Sequence, residues 1–431
     1  MEQDSDHTST ALEGTAAYLP RVVDAEIADC MEGLPAVLIE GPRACGKTTT
    51  GRHHARSEVM FGADPTARSA AEVDPRRVLR GPRPRLLDEW QIVPSIWNQV
   101  RAAVDDNTRA GSYILTGSAT PADDVTRHTG TGRITRVQMR PMSLYESRLS
   151  SGEIGTGELF EGRLKSAGPT DIGLSDIIEA ICRGGWPAST SASLSAAQRY
   201  CLGYINEVSR ADIPQLTGET RDPTRVMRLM RSLARNVASE ASERTLATDT
   251  GGQQPLHRTT VSSYLDVLRR LFVVEELPAW SADLRSRARL RQSPKRLFAD
   301  PSLAVAALRA NPERLDADHR LLGLLFEALV VRDLRVYTQA HGGELFHYRD
   351  STGLEADIIC ELSDGRWLAA EVKLGTRAAV DHAAAALLKL RDRVDTSVIG
   401  PPSDLVVITA TGHGYRRPDG VFVAPIGTLG P

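Results

Sequence analysis

The chain has 431 residues, 25% of them charged and 41% hydrophobic, with 35 Gly and 24 Pro. At roughly 100–200 residues per domain this makes two to four domains, and disordered, collagen-like and disulfide-scaffold classes are excluded. The net charge of -3 gives no global basic field, so any nucleic-acid contact has to come from a local patch. Of 52 basic residues only five are lysine, namely Lys47, Lys165, Lys295, Lys373 and Lys389, so each lysine is worth following.

No run approaches about 18 consecutive apolar residues, so no membrane span is expected. The start, MEQDSDHTST, has neither the basic nor the apolar stretch of a signal peptide. Five scattered cysteines (Cys30, Cys45, Cys182, Cys201, Cys360) form no CxxC pair, which fits reduced thiols and a cytoplasmic location and argues against zinc.

Residues 1–17 read as a polar tail. A helix over YLPRVVDAEIADCME and a buried strand LPAVLIE follow, then a Gly-rich turn and a helix through Arg52–Arg56. PRLLDEW is a short strand, PSIWNQVRAAVDD an amphipathic helix, and SYILTGS and RITRVQM two more strands. Strands alternating with helices predict an α/β domain with a mostly parallel sheet over 18–165. Residues 150–170 read as a linker-like break. A helical, lid-like region spans 166–240, interrupted at GGWP and ADIP. A second break covers 241–255, and HRTTVSSYLDVLRRLFVVEELPAW reads as helix then strand, so 241–300 forms a winged-helix-like segment. From 301 to 431 a long helix (LLGLLFEALVVRDLRVYTQAH) precedes the strands LFHYRD, LEADIICEL, RWLAAEVKL and DLVVITAT, with a helix before the last, which makes a second α/β unit.

Residues 41–48, GPRACGKT, match G-x4-G-K-[ST] between a strand and a helix. Glycines let the backbone wrap so that N–H groups face phosphate oxygens, and the following helix N-terminus adds positive potential. Gly41, Pro42, Arg43, Ala44, Cys45, Gly46, Lys47, Thr48 and Thr49 are the candidate nucleotide-binding residues. Lys47 would bridge the β- and γ-phosphates of ATP, and Thr48 would ligate Mg²⁺. Asp88 and Glu89, at the end of a strand, supply a metal partner and a group to polarise water. Thr116 or Ser118 at the next strand tip is placed to sense the γ-phosphate, the alternative being a turn satisfied by its own hydroxyls. Arg133 is a candidate finger, acting in cis or across the interface of a homo-oligomer, against the alternative of a solvated face.

Together YLPR, GPRACGKT, LLDEWQIVP, YILTGSATP, GRITRVQMRPMSLYES and RGGWPAS resemble a group of prokaryotic AAA+-superfamily-like ATPases that carry a C-terminal domain of unknown function. The resemblance implies a P-loop ATPase core, a winged-helix-like middle segment and a restriction-nuclease-like C-terminal fold.

In the C-terminal unit, Glu327 on the long helix, Asp357 on one strand and Glu371 and Lys373 on the next resemble the PD-(D/E)XK nuclease order. Alternation puts Glu371 and Lys373 on one sheet face. Asp357 and Glu371, with Glu327 completing the set, are candidate Mg²⁺ ligands, and Lys373 a candidate to orient the metal-bound water. An exposed charge pair, or a fold that no longer cuts, remains the alternative, and Glu355 and Glu361 on the same strand leave the ligand assignment open. The run from Arg285 to Arg296 is a candidate phosphate-touching wing loop, or a solvated loop. The expectation is thus an ATP-hydrolysing protein whose C-terminal unit cuts or binds nucleic acid, DNA before RNA. The alternative is a nucleotide-switched DNA-binding regulator that does not cut.

Overall fold

The computed structural model describes residues 18–106, 109–120, 130–164, 166–217, 222–250, 255–282 and 293–431. The first sheet has strands β1 (Ala36–Glu40), β2 (Ser57–Met60), β3 (Arg85–Asp88), β4 (Tyr113–Gly117) and β5 (Ile134–Gln138). They lie in the order β2-β3-β4-β1-β5 and every pairing is parallel. Parallel neighbours need crossover connections, and helices Lys47–His54, Pro65–Val73 and Ser95–Asp106 supply them. With both faces covered, β1 and β4 are apolar runs rather than alternating ones: Val37, Ile39, Ile114 and Leu115 are all fully buried. In register, Glu40 lies opposite Gly117 and Gln138, and Met60 opposite Asp88. The loops after β1, β3 and β4 therefore open on one edge.

Residues 150–170 are not a linker. They contain β6 (Ile154–Gly155), a helix Thr156–Glu161 and β7 (Ser166–Pro169). The middle of the chain contributes a two-stranded antiparallel hairpin, β8 (Val274–Leu277) with β9 (Lys295–Phe298). The second sheet then takes β10 (Gly343–Arg349), β11 (Glu355–Leu362), β12 (Trp367–Lys373), β13 (Leu405–Thr409), β14 (His413–Arg416) and β15 (Phe422–Pro425), in the order β10-β11-β12-β13-β15-β14-β7. So β7 is the edge strand of the C-terminal sheet, and β6 pairs with β16 (Leu429–Gly430). The Ser- and Gly-rich composition of 150–170 reads as a break because its partners lie more than 240 residues away, and a strand spelled Ser-Ala-Gly-Pro has no period to detect. Small residues are what the contact needs: a Cβ on Gly414 would lie 2.7 Å from that of Ala167.

The middle region is helical, with helices Leu174–Arg183, Leu194–Glu207 and Pro223–Arg235 and a π-helical turn Val208–Asp212. Residues 241–255 were expected as a break, but they hold a helix, Glu243–Asp249, started by the Ser242 hydroxyl accepting from Thr245 N–H at 3.1 Å. Helix Arg258–Arg270 and the β8–β9 hairpin follow. The helix Pro301–Leu308 is buried along nearly its whole length and packs against helices Leu194–Glu207 and Pro223–Arg235.

These units meet around a buried charge cluster. Arg332, on the long helix His319–Gln339, reaches Asp300 at 2.9 Å and Asp333 at 2.6 Å. Asp300 also accepts from Gly185 N–H (2.9 Å) and Ser302 N–H (2.9 Å), and Asp333 from Leu144 N–H (3.0 Å). The GGWP turn is glycine because of this crossing: a Cβ on Gly185 would lie 2.0 Å from the Met142 carbonyl oxygen. Burial pushes the Asp333 carboxyl above its usual range, and the neighbouring carboxylates raise the Arg332 guanidinium. Breaking a buried ion network by removing one partner costs about 3–5 kcal/mol, because charge is left uncompensated. Arg332→Met is therefore expected to lose stability by that order in urea unfolding; a loss under about 1 kcal/mol would remove this network from its structural role.

Candidate functional site

The phosphate-binding motif lies where β1 ends. A Cβ on Gly41 would lie 2.0 Å from the Met139 carbonyl oxygen, and Ala44 and Gly46 adopt left-handed backbone (φ 59° and 108°). The loop is thus wrapped against β5 before helix Lys47–His54 begins. Arg21 braces it from outside, donating to the Cys45 carbonyl at 2.8 Å while its Nε is 3.0 Å from Glu146 Oε1. Cys45 is fully buried, with its thiol toward the Met139 carbonyl, in keeping with a small filler. Lys47 is buried and folded back on its own loop, donating to the carbonyls of Gly41 (2.9 Å) and Pro42 (2.7 Å). Arg43 pairs with Asp212 of the π-helical turn, which brings the middle region over the loop. Ala44 and Thr49 are exposed beside it.

The acidic pair stands next to this loop. Thr48 Oγ1 donates to Asp88 Oδ1 at 2.7 Å, and Thr116 Oγ1 donates to the same oxygen at 2.6 Å. Asp88 ends β3, so its side chain meets the first turn of the motif's helix across β4. Glu89 has a left-handed backbone (φ 56°), which turns the chain off the strand, and its N–H is held by Thr116 Oγ1 at 3.1 Å. Ser118 Oγ donates to Glu89 Oε2 at 2.9 Å, and the Gln91 amide donates to the same oxygen. Lys47, Thr48, Asp88, Glu89, Thr116 and Ser118 are therefore brought together. Thr48 and Asp88 offer two hard oxygens side by side, which fits Mg²⁺.

Arg133 is not brought to this site. It precedes Ile134, which pairs with Ala36 at the start of β1, while the motif follows Glu40, opposite Gln138. Four strand residues intervene, roughly 13 Å, and Arg133 is half-exposed and paired with Asp105 at 2.8 Å. A cis finger is excluded by this geometry. Arg21 and Asp212 went unread in the sequence, since each acts through a contact far away in the chain, and Gln91, although two residues from Glu89, belongs to no motif.

The second constellation also assembles, with an added member. Lys373 Nζ lies 2.6 Å from Glu371 Oε2 and 3.1 Å from Asp357 Oδ2, which also accepts from Val372 N–H at 2.9 Å. Lys295 Nζ lies 2.7 Å from Glu327 Oε1 and 3.6 Å from Asp357 Oδ1. Lys295 was expected in an exposed basic loop; it is instead a buried residue of β9, while 285–292 lies outside the described residues. Glu361 takes no part, since it accepts from the Trp280 indole at 2.8 Å, and Glu355 pairs with Arg349 at 3.2 Å.

The cluster borders an open cleft of about 800 Å³. One wall is a face of helix Arg377–Arg393 carrying His382, Ala385, Ala386, Lys389 and Arg393. Lys165, the fifth lysine, lies outside the described residues.

Glu327, Asp357 and Glu371 were expected to hold a metal. They are not gathered around one point but strung along two ammonium groups, and among the described residues no group of three or more His, Cys, Asp or Glu side chains is arranged for a metal ion. Both Asp357 oxygens face a lysine, so the set as arranged does not fit a divalent cation.

Burial, then the Asp357 charge, pushes the Glu327 carboxyl up to about 7 and the Glu371 carboxyl up to about 8, outweighing the lysines. The Lys295 and Lys373 ammonium groups have raised pKa values, held charged by the carboxylates against desolvation, and Asp357 lies below its usual range for the complementary reason.

Three stretches match known families: residues 34–147 an AAA domain, residues 174–314 a domain of unknown function (DUF8612), and residues 322–429 another (DUF4143). Uncharacterized proteins of Mycobacterium tuberculosis and Mycobacterium bovis are each 26% identical over 344 residues, covering 79% of this chain and 70% of the relative. A Walker-type ATPase of Pyrococcus abyssi aligns with TM-score 0.39 and 13% identity over 66% of this chain and 94% of its own. Residues 34–147, which hold the Gly41–Thr49 loop and the Asp88–Glu89 pair, thus match an AAA domain. Among the described residues, no helix is long and apolar enough to cross a membrane.

The two raised carboxyls set a pH dependence. A carboxyl whose folded pKa exceeds its unfolded value binds more protons in the native state, so stability falls as pH rises between the two values. Glu371→Gln is expected to flatten the fall in unfolding free energy between about pH 5 and pH 8, read from urea midpoints; an unchanged slope would contradict the placement of Glu371.

Proposed function

We propose that the protein hydrolyses ATP at the loop Gly41–Thr49. The observation that carries this reading is the convergence of Thr48, Asp88 and Thr116 within hydrogen-bond distance, with Lys47 buried beside them and Glu89 held one residue on. In this reading Lys47 leaves the Gly41 and Pro42 carbonyls for the β- and γ-phosphate oxygens, whose charge replaces theirs. Thr48 and Asp88 hold Mg²⁺, which would neutralise phosphate charge. Glu89 takes the proton of the attacking water. Ser118 and Gln91 fix its carboxylate, so Glu89 meets the water in one orientation. Arg133 contributes only across a subunit interface, in a homo-oligomer.

The test is steady-state phosphate release with Mg²⁺-ATP. Lys47→Ala is expected to abolish it. Glu89→Gln is expected to slow it about 10²–10⁴-fold while nucleotide binding persists, as for loss of a positioned proton acceptor. Equal rates for wild type and Lys47→Ala would overturn the reading.

A second reading concerns the C-terminal cleft, which we propose binds nucleic acid, DNA before RNA. Its lining is mixed in charge, with Glu355, Asp357, Glu371 and Asp392 beside Lys373, and in this reading Lys389 and Arg393 of the helical wall meet the phosphates. Within this reading the non-cutting, nucleotide-switched regulator is favoured over the nuclease, because lysines hold the carboxylates. Fluorescence anisotropy with duplex DNA is expected to show binding that weakens steeply with salt and weakens further in Lys389→Ala. No binding, or tighter binding to RNA, would count against it. Cleavage with Mg²⁺ or Mn²⁺ that is lost in Lys373→Ala would restore the nuclease.

A further inference from the structure

Lys295 comes from β9 in the middle of the chain, whereas the carboxylates it joins come from the long helix and β11. It is buried, at 8% exposure, in a chain that uses arginine for nearly every positive charge. From Glu327 to Glu371 carboxyl and ammonium groups alternate in space: Glu327, Lys295, Asp357, Lys373, Glu371, with successive separations of 2.7, 3.6, 3.1 and 2.6 Å.

A divalent cation between Glu327 and Asp357 would need the oxygens that face Lys295. Magnesium sits about 2.0–2.1 Å from its donors, so ion and ammonium cannot share those oxygens. A lysine also suits the position better than the arginine this chain prefers, because a compact ammonium has the shape of an ion and a planar guanidinium does not.

We propose that Lys295 is the resident cation of the C-terminal cluster: its ammonium fills the position at which Glu327 and Asp357 would bind a divalent metal, and the cluster accepts one only when that ammonium is removed. The placement of the middle segment thereby decides whether the site is a charge-paired core or a metal centre. The inference rests on the cluster's geometry and on neither ATP hydrolysis nor nucleic-acid binding, and its test uses neither ligand.

The experiment is Mn²⁺ binding to the nucleotide-free, full-length protein, followed by the electron paramagnetic resonance of free Mn²⁺. Wild type, Lys295→Met and Lys295→Arg are each compared with and without Asp357→Asn, and circular dichroism checks folding. Lys295→Met is expected to gain a site at least tenfold tighter than any in wild type, and Asp357→Asn to remove it. Lys295→Arg, which keeps the charge, is expected to gain none. An Asp357-dependent Mn²⁺ site in wild type as tight as that in Lys295→Met overturns the proposal, as does a folded Lys295→Met protein that gains no site. If Lys295→Met does not fold, wild type against Asp357→Asn decides: Mn²⁺ binding lost with Asp357 overturns the proposal, and identical titrations uphold it.

Discussion

The structure turns on one buried guanidinium. Arg332 is 4% exposed and Asp300 and Asp333 are fully buried, so an arginine and two aspartates share one interior. Such a group is tolerated only when its remaining lone pairs find donors. They do so by reaching into other parts of the chain: Asp300 takes N–H groups from Gly185 and Ser302, and Asp333 takes one from Leu144. The P-loop unit, the helical region and the C-terminal helix are thereby tied to a common point. Satisfying one buried charge sets the relative position of segments that are otherwise far apart in sequence.

The same logic acts a few residues away at the phosphate-binding loop. Glu146 accepts from Val22 and Ser143 N–H (2.8 Å each) as well as from Arg21, and Arg21 in turn bonds the carbonyls of Cys45 and Arg140. The loop is therefore held from behind by charge-assisted hydrogen bonds, which are stronger than neutral ones. Its geometry does not have to be assembled by the ligand. Preorganisation of this kind lowers the ordering cost of binding.

What could be read in the sequence was what is local or periodic. GPRACGKT between a strand and a helix, the Asp88–Glu89 pair at a strand end and the Ser118 tip need only short-range pattern, and all three meet in space. Glu371 and Lys373 share a face because strand alternation requires it. Lys295 was misread for a physical reason: its neighbours in the chain are arginines, and nothing within ten residues reveals that its partner is Glu327, 32 positions on. Residues 150–170 were misread for a related one, because the strand that β7 pairs with enters only at 413–416. Arg133 illustrates the opposite error. An arginine after a sensor-like strand has the right order in sequence, but in a parallel sheet a residue that precedes a strand sits at the edge opposite to the loops that follow it.

Three of the five lysines among 52 basic residues now have a physical reading. Lys47 bonds two carbonyls, and Lys295 and Lys373 alternate with three carboxylates. In each case a compact, strongly hydrated charge with three donors meets acceptors that converge from different directions. Elsewhere, in pairs such as Arg416 with Asp404, both carboxylate oxygens lie 2.7 Å from the guanidinium, and arginine is used. The two sites are also joined through contiguous structure. Ser118 is two residues before Thr120, whose N–H and carbonyl both bond Arg270 (2.9 and 3.0 Å), and Arg270 ends the helix that leads into β8 and its partner β9, where Lys295 sits. Contiguity fixes geometry and not coupling energy. It nevertheless places the β8–β9 hairpin that carries Lys295 directly after a helix whose last residue is hydrogen-bonded to Thr120.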